Sequence, residues 1–213
     1  MESKWCFIVP YRNRVEHLKV FVPHYNKLFP NIPIYIVEQC NDLPFNLGKL
    51  INIGFLGFGQ KYSYFAKHDI DMIVRKGMYD YSEPINPTHL ATMCSQFKYK
   101  MPYKNYFGGV NLFKRYHFAH VNGFPNNLNG WGAEDDILRE SFLETGYKLD
   151  SRKCIYDSLA HERIMDPNLH AQNVQIMKRG RDFNNGLSSC EYEILDVIKE
   201  NGYTLIKTNF TND

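Results

Sequence analysis

The chain has 213 residues, of which 44% are hydrophobic and 15% aromatic, and its formal net charge is +2, from 25 basic and 23 acidic side chains. This composition excludes a disordered chain because it can bury a substantial core, and we expect one domain over residues 1–213. The near balance of charge gives no large field of one sign, which argues against nucleic acid as a partner.

No apolar run approaches the roughly 20 residues that a membrane-spanning helix needs. The N-terminal Met-Glu-Ser-Lys precedes a short apolar run that is typical of a first strand, not of a signal peptide. The five cysteines are widely spaced and include no Cys-x-x-Cys pair, which indicates neither a disulfide framework nor a zinc site. We therefore expect a cytoplasmic or otherwise soluble protein with no transmembrane segment, although a chain trimmed of a targeting segment would look the same.

The first third of the chain alternates strand and helix patterns. This alternation predicts an α/β fold with a parallel sheet, in which ligands collect at the carboxyl ends of the strands. The predicted elements, in order, are a strand over Trp5 to Val9, a helix over Val15 to Tyr25, a strand over Ile34 to Val37, a helix over Phe45 to Phe55 that is capped by Asn46, and a strand over Tyr64 to Ala66.

Polar side chains follow the first and third of these strands. Arg12 and Arg14 are either solvated surface charges or two guanidinium groups that would bind a diphosphate. In extended backbone the carboxylates of Asp69 and Asp71 would point to one side and repel each other unless a cation lies between them. Such ligands favour Mg²⁺ or Mn²⁺, and an added histidine nitrogen favours Mn²⁺. His161 is a candidate ligand, although a lone histidine more often packs or caps.

A glycine-flanked tryptophan precedes an acidic helix that is predicted to begin at Ala133 and to end at Gly146. Its first turn carries three successive carboxylates, Glu134 to Asp136. Acidic side chains in a first turn commonly complement the helix dipole, and a tryptophan is commonly a core anchor. The Gly130 to Gly132 segment, however, is also typical of a movable lid that lays the Trp131 ring on a ligand. A lid that ends in fixed carboxylates favours a general base.

A Tyr- and Gly-rich segment lies between the third strand and this lid. Tyr103 and Tyr106 are either core aromatics or stacking platforms for a sugar or base. The pair Gly108-Gly109 indicates either a tight turn or a backbone pressed against a ligand.

These motifs occur in a characteristic order along nearly the whole chain. They are Phe7 to Arg14, Phe45 to Phe55, Asp69 to Asp71, Tyr106 to Val110, Asn122 to Asn127, Gly130 to Asp136 and Asn185 to Val197. In this order they resemble the β-1,4-galactosyltransferase family. The resemblance implies a GT-A nucleotide-sugar fold, α/β with a mixed, mostly parallel central sheet flanked by helices. It also implies an inverting enzyme that moves galactose from UDP-galactose to a glycan or glycoconjugate acceptor with Mn²⁺, or with Mg²⁺ as the alternative.

The resemblance also assigns site residues by position. Asp135 is implied as the catalytic base and Glu134 as a ligand of sugar hydroxyls, while Asp71 and His161 are implied as metal ligands. The bulk of Tyr106 is expected to exclude an N-acetyl group and so to favour galactose or glucose. The residues implied to bind the nucleotide sugar are Pro10, Tyr11, Arg12, Arg14, Phe45, Asp69, Tyr106, Gly109 and Trp131.

Two positions depart from the family pattern. Leu47 stands where many members have an arginine, and Ser158 stands where many have a methionine that ligates the metal, which leaves the third ligand open. Two alternatives therefore remain beside galactosyl transfer. One is a transferase of the same fold that uses UDP-glucose or UDP-N-acetylgalactosamine, and the other is a non-catalytic sugar-binding protein on the same scaffold.

Overall fold

The computed structural model describes residues 3–162 and 165–211. In chain order the elements are β1 (Trp5–Tyr11), α1 (Val15–Leu28), β2 (Ile34–Gln39), α2 (Leu47–Gly57), β3 (Tyr64–His68), β4 (Met72–Val74), β5 (Thr88–His89), β6 (Met93–Cys94), β7 (Val110–Lys114), α3 (Arg115–His120), α4 (Glu134–Glu144), β8 (Asp150–Ser151), β9 (Ile155–Ser158), α5 (Pro167–Arg179), β10 (Glu193–Glu200) and β11 (Tyr203–Asn209). No helix in these ranges has the length and apolar character needed to cross a bilayer.

Within the described residues the main sheet has the strand order β10-β11-β2-β1-β3-β7-β5-β8. Strand β1 pairs in parallel with β2 and β3, and β11 pairs in parallel with β2. Strand β7 pairs with β3 in the antiparallel sense, so the sheet is mixed, as the family resemblance implies. The three strands predicted in the first third of the chain are confirmed as β1, β2 and β3.

The core lies on both faces of this sheet. Alternate residues of β1 point to opposite faces, so Phe7 packs with α1, whereas Ile8 packs with α2 in a second cluster that also contains residues of α4. On α4 the fully buried Phe142 and the nearly buried Leu138 anchor the helix against the second face. The predicted helix therefore forms because its apolar stripe is buried there. The first turn of α4 lies near the carboxyl end of β3, where Lys67 contacts Asp135.

A smaller sheet, with the order β4-β9-β6, supports the turn that follows β3. Strands β4 and β9 are antiparallel, and their register places Ser158 opposite Met72. The backbone N–H of Leu159 donates to the carbonyl oxygen of Asp71 at 2.8 Å. The small sheet therefore brings the chain after β9 alongside Asp71.

Candidate active site

The carboxyl end of β1 brings together several residues that were predicted to bind the donor. Pro10 and Tyr11 are buried in the strand. The guanidinium of Arg12 lies 5.4 Å from the centroid of the Phe45 ring and donates to the carbonyl oxygen of Leu43 at 2.6 Å. Arg14 instead reaches the segment after β9, where it donates to the carbonyl oxygen of Glu162 at 3.2 Å. The two arginines therefore contact different segments of the chain.

The backbone between β3 and β4 is a tight turn, so the prediction that Asp69 and Asp71 lie in extended chain is wrong. The N–H of Met72 donates to the carbonyl oxygen of Asp69 at 3.2 Å, which closes the turn. The reversal sends the two side chains to different partners: Asp69 contacts Lys67, and Asp71 contacts His161. The turn forms because only three residues connect β3 of the main sheet to β4 of the small sheet.

The side chains of Asp71 and His161 lie next to each other at the edge of an open cleft. The Oδ2 atom of Asp71 lies 3.5 Å from Nδ1 of His161 and accepts a hydrogen bond from the Ser158 hydroxyl at 3.1 Å. Beside them is a cleft of about 500 Å³. It is lined by Ser95, Gln96, Ser158, Leu159, Ala160 and His161.

This pair fits a divalent cation. One carboxylate oxygen and one imidazole nitrogen, close together at an open cleft, form a donor set that suits Mn²⁺. Among residues 3–162 and 165–211, no group of three or more His, Cys, Asp or Glu side chains is arranged around one point. A metal held here would therefore take further ligands from a bound diphosphate or from water, as ions bound by few protein ligands commonly do.

The acidic helix begins abruptly after a strained loop. Gly130, Gly132 and Ala133 all have positive φ, at 79°, 105° and 75°. For Ala133 this left-handed conformation costs on the order of 1 kcal/mol, so the surrounding contacts must hold it. Helix α4 then starts at Glu134, with the N–H of Ile137 donating to the Ala133 carbonyl oxygen at 2.9 Å. The strained entry sets the first-turn carboxylates at a fixed place beside the sheet.

A buried lysine, which the sequence reasoning missed, connects this helix to the turn after β3. The Nζ atom of Lys67 lies 2.9 Å from Oδ1 of Asp69 and 3.4 Å from Oδ1 of Asp135, and the Lys67 side chain is 0% exposed. A buried ammonium is stable only when it is paired, so the two carboxylates account for its presence. One signal was available in the sequence, because a lysine directly after the apolar run Tyr64 to Ala66 is unusual in a strand covered on both faces.

The three site carboxylates titrate at raised pH because they lie close together in a poorly hydrated place. Burial raises the pKa of Asp135, and the ammonium of Lys67 opposes that shift. Burial, reinforced by the neighbouring Asp135, raises the pKa of Glu134 to about 8. Burial also raises the pKa of Asp69, against the effect of Lys67, and the nearby Asp71 adds to the rise. Perturbed carboxyls of this kind are typical of functional sites.

The two glycines before β7 allow this close approach. A side chain at Gly108 would place its Cβ 2.7 Å from Oδ2 of Asp135, and Gly109 has a φ of 79°. The carbonyl oxygen of Gly109 accepts from the backbone N–H of Asp69 at 3.2 Å. The hydroxyl of Tyr106 would lie 2.8 Å from the same Gly108 Cβ, so this ring borders the carboxylate cluster.

Trp131 rests on helix α5. Its ring stacks on that of His170, with centroids 5.6 Å apart and an interplanar angle of 25°, and it is 50% exposed. The side chain of Asn173 donates to the carbonyl oxygen of Gly132 at 3.1 Å and to that of Asn129 at 2.9 Å. The loop therefore rests on α5 with the Trp131 ring half in solvent, which is not the position of a core anchor.

His68 is a second residue that the sequence reasoning passed over. Its ring is buried, with Nδ1 at 2.9 Å from the carbonyl oxygen of Asp69 and Nε2 at 2.9 Å from the Tyr81 hydroxyl. Burial lowers the pKa of His68 to about 3, so the ring is neutral and hydrogen-bonds both partners as imidazole. It supports the turn from behind and offers no ligand to the cleft.

Comparison with known proteins agrees with this geometry. One family model, described as the N-terminal region of glycosyl transferase group 7, matches residues 1–82, and another, described as the N-terminal domain of galactosyltransferase, matches residues 88–164. Human β-1,4-galactosyltransferase 1 is 30% identical over 95% of the chain and 54% of its own length. The chain thus spans about half the length of the curated relatives it matches.

Two crystal structures are similar over nearly their whole length. The catalytic domain of Drosophila β-1,4-galactosyltransferase 7 in complex with xylobiose has a TM-score of 0.84 and 28% identity, with 99% of this chain and 95% of that chain covered. A mutant of the same enzyme in complex with manganese, UDP-Gal and xylobiose has a TM-score of 0.81 and 26% identity, with the same coverage. The fold is therefore the GT-A fold of nucleotide-sugar glycosyltransferases. The chain belongs to the β-1,4-galactosyltransferase family.

Proposed function

We propose that this protein is an inverting hexosyltransferase that moves galactose from UDP-galactose to a sugar hydroxyl, forming a β-linkage with the help of Mn²⁺. The observation that carries the proposal is that the site has two distinct parts, one for a base and one for a metal. Asp135 is fixed by a buried lysine next to Asp69, while Asp71 and His161 face an open cleft with a donor set that fits a metal. A binding protein has no need of a fixed, poorly hydrated carboxylate.

The donor would lie across the ends of β1 and β3. Arg12, over the Phe45 ring, and Arg14 supply cationic groups for the diphosphate, and Phe45 supplies an aromatic surface for the uracil ring. Asp69 supports the sugar, and Gly109 lets the donor approach the backbone. The bulk of Tyr106 beside Gly108 leaves little room for an N-acetyl group, which favours galactose or glucose over N-acetylgalactosamine.

A divalent cation at Asp71 and His161, when bound, would neutralise the charge that develops on the diphosphate leaving group. Asp135 removes the proton of the acceptor hydroxyl as the hydroxyl oxygen forms a bond to the anomeric carbon of galactose. The bond from that carbon to the diphosphate oxygen breaks, and UDP leaves with the electron pair. Glu134 binds sugar hydroxyls beside the base.

Inversion follows from this arrangement. The hydroxyl attacks from the side opposite to the diphosphate, in one displacement, and one base is sufficient. A retaining glycosidase differs because its second carboxylate forms a covalent intermediate. The α-linked galactose of the donor therefore becomes β-linked in the product.

The acceptor is proposed to be a glycan or glycoconjugate. The related Drosophila structures contain xylobiose, and the half-exposed Trp131 ring offers a flat apolar surface of the kind that sugars stack on. Residues 1–213 are proposed to act as one catalytic domain.

The test is transfer to xylobiose and to simple β-glycosides from UDP-galactose, UDP-glucose and UDP-N-acetylgalactosamine, each with Mn²⁺, with Mg²⁺ and with chelator. We expect turnover of UDP-galactose with Mn²⁺ and none with chelator. Turnover of another donor would reassign the sugar while the mechanism stands. UDP binding without transfer or hydrolysis of any donor would contradict the enzyme and favour a sugar-nucleotide-binding protein.

A further inference from the structure

Lys67 occupies a place where a charge is costly. Its strand, β3, lies between β1 and β7 in the main sheet, and the three residues before it are buried. An apolar side chain of the same size would satisfy such a position without the desolvation of an ammonium group. The position in the strand therefore does not explain the charge of Lys67, but its two carboxylate partners do.

Those partners come from two different parts of the site. Asp69 follows β3 in the turn that supports the donor, and Asp135 lies in the first turn of α4. The Nζ atom also lies 3.4 Å from the carbonyl oxygen of Gly109, which holds the same turn. The ammonium thus joins the proposed donor side to the proposed base and is itself fully covered, so it cannot touch a substrate.

We infer that Lys67 is a positioning residue for the proposed transfer reaction: its buried ammonium holds the carboxylate of Asp135 in a fixed place against Asp69. The inference rests on the proposed function. Without this cation, Asp69 and Asp135 would face each other as two poorly hydrated anions, and like charges at such a distance repel strongly. The lysine makes it possible for the base to be both buried and ionised.

Charged and titratable groups surround Asp135 from β3, from the turn after β3, from α4 and from the segment before β7. Lys67 is the only cation that contacts it among the described residues. Three carboxylates lie nearby, Asp69 from the turn after β3 and Glu134 and Asp136 from α4, and their negative charge would disfavour the ionised form of Asp135. Burial and the nearby carboxylates raise the pKa of the Tyr103 and Tyr106 hydroxyls, in the segment before β7, so both hydroxyls are uncharged.

The test is the Lys67→Met variant, which keeps the length of the side chain and removes its charge. We expect kcat to fall by about 100-fold at neutral pH, the loss typical of a displaced catalytic group, while the donor KM changes much less. We also expect the acidic limb of the pH profile of kcat/KM to move up by about one to three pH units, because an opposite charge at this distance lowers an acid's pKa by that amount. Activity should recover at high pH. Lys67→Arg, which retains the cation, should keep the limb near its wild-type position.

The matched control is Lys114→Met. Lys114 also lies in a strand of the main sheet, at the end of β7, and it pairs with a carboxylate, Glu83 at 3.3 Å, but away from the site. Its pH profile should equal that of the wild type. A loss in Lys67→Met that is the same at every pH, with an unmoved acidic limb, would overturn the inference and leave Lys67 as a structural residue.

The experiment also distinguishes failure of the proposed function and failure of the variant to fold from failure of the inference itself. If wild-type protein transfers no sugar from any UDP-sugar, the proposed function fails before the variant is examined. If Lys67→Met does not fold, Lys67→Met/Asp69→Asn, which removes one of the facing anions, is compared with Asp69→Asn alone. The inference requires the acidic limb of the double variant to lie at higher pH than that of the single variant, and coincident limbs would overturn it.

Discussion

The site contains two acidic clusters, and they differ in how their charge is neutralised. Asp69 and Asp135 share the fully buried ammonium of Lys67, so the protein supplies its own cation there. Asp71 contacts neutral or titratable partners, Ser158 and His161, at the edge of an open cleft. In the proposed mechanism the first cluster holds the base for the proton transfer, and the second would bind a cation from solution together with the diphosphate.

The largest expected effect comes from the first cluster. Asp135→Asn keeps the shape of the side chain and removes the base, so transfer should fall by roughly two to four orders of magnitude. Binding of UDP with Mn²⁺, measured by calorimetry, should remain close to wild type because the second cluster is untouched.

The matched control for this variant is Glu140→Gln, in the same helix and 53% exposed. It should retain normal transfer. Normal transfer in Asp135→Asn itself would show that the base has been assigned to the wrong carboxylate.

The His161→Ala variant removes the imidazole from the second cluster. Removal of one of two protein ligands should weaken Mn²⁺ binding by at least about 10- to 100-fold, the loss that substitution even of outer-shell partners of a metal ligand commonly causes. Electron paramagnetic resonance of free Mn²⁺ measures this directly, without any turnover. His120→Ala, on α3, serves as the control, and equal Mn²⁺ affinity in the two variants would remove His161 from the metal site.

Glu134 gives a stability prediction with a defined sign. Its pKa is raised in the fold from an ordinary 4.5 to about 8, so the folded protein binds more protons than the unfolded chain between these values. The free energy of unfolding therefore falls as pH rises through this window, by up to about 1.4 kcal/mol per pH unit. Glu134→Gln lacks this loss, and its melting temperature should exceed that of the wild type increasingly from pH 4.5 to 8.

Below pH 4.5 the carboxyl is protonated in both states, so the two melting curves should converge there. Measurements are made without metal by thermal unfolding. A gain in stability that does not vary with pH would mean that packing, and not ionisation, separates the two proteins.

The smallest expected effect concerns the lid. Trp5 is buried in the core, stacked on Tyr64 with ring centroids 5.7 Å apart, whereas Trp131 is half exposed on the loop that precedes the acidic first turn of α4. Addition of UDP-galactose with Mn²⁺ should change the fluorescence of Trp131 and not that of Trp5. The signal change should disappear in Trp131→Phe, and its persistence there would place the response outside the lid.

The sequence predicted the frame of this site better than its electrostatics. Apolar periodicity located β1, β2, β3 and α4, because each buries a stripe of side chains against one sheet. Apolar periodicity could not predict the turn at Asp69 to Asp71 or the contacts that Lys67 makes with two carboxylates. They depend on the hydrogen bond by which the Gly109 carbonyl holds the turn after β3 and on the approach of α4 to β3, which are contacts between segments far apart in the chain.

The measurement that tests the account most directly is the anomeric configuration of the first product, determined by proton NMR after transfer from UDP-galactose. A single displacement with Asp135 as the only base predicts a β-galactoside. An α-galactoside would contradict the account, because retention requires a second displacement or a different approach of the acceptor that this arrangement of carboxylates does not provide.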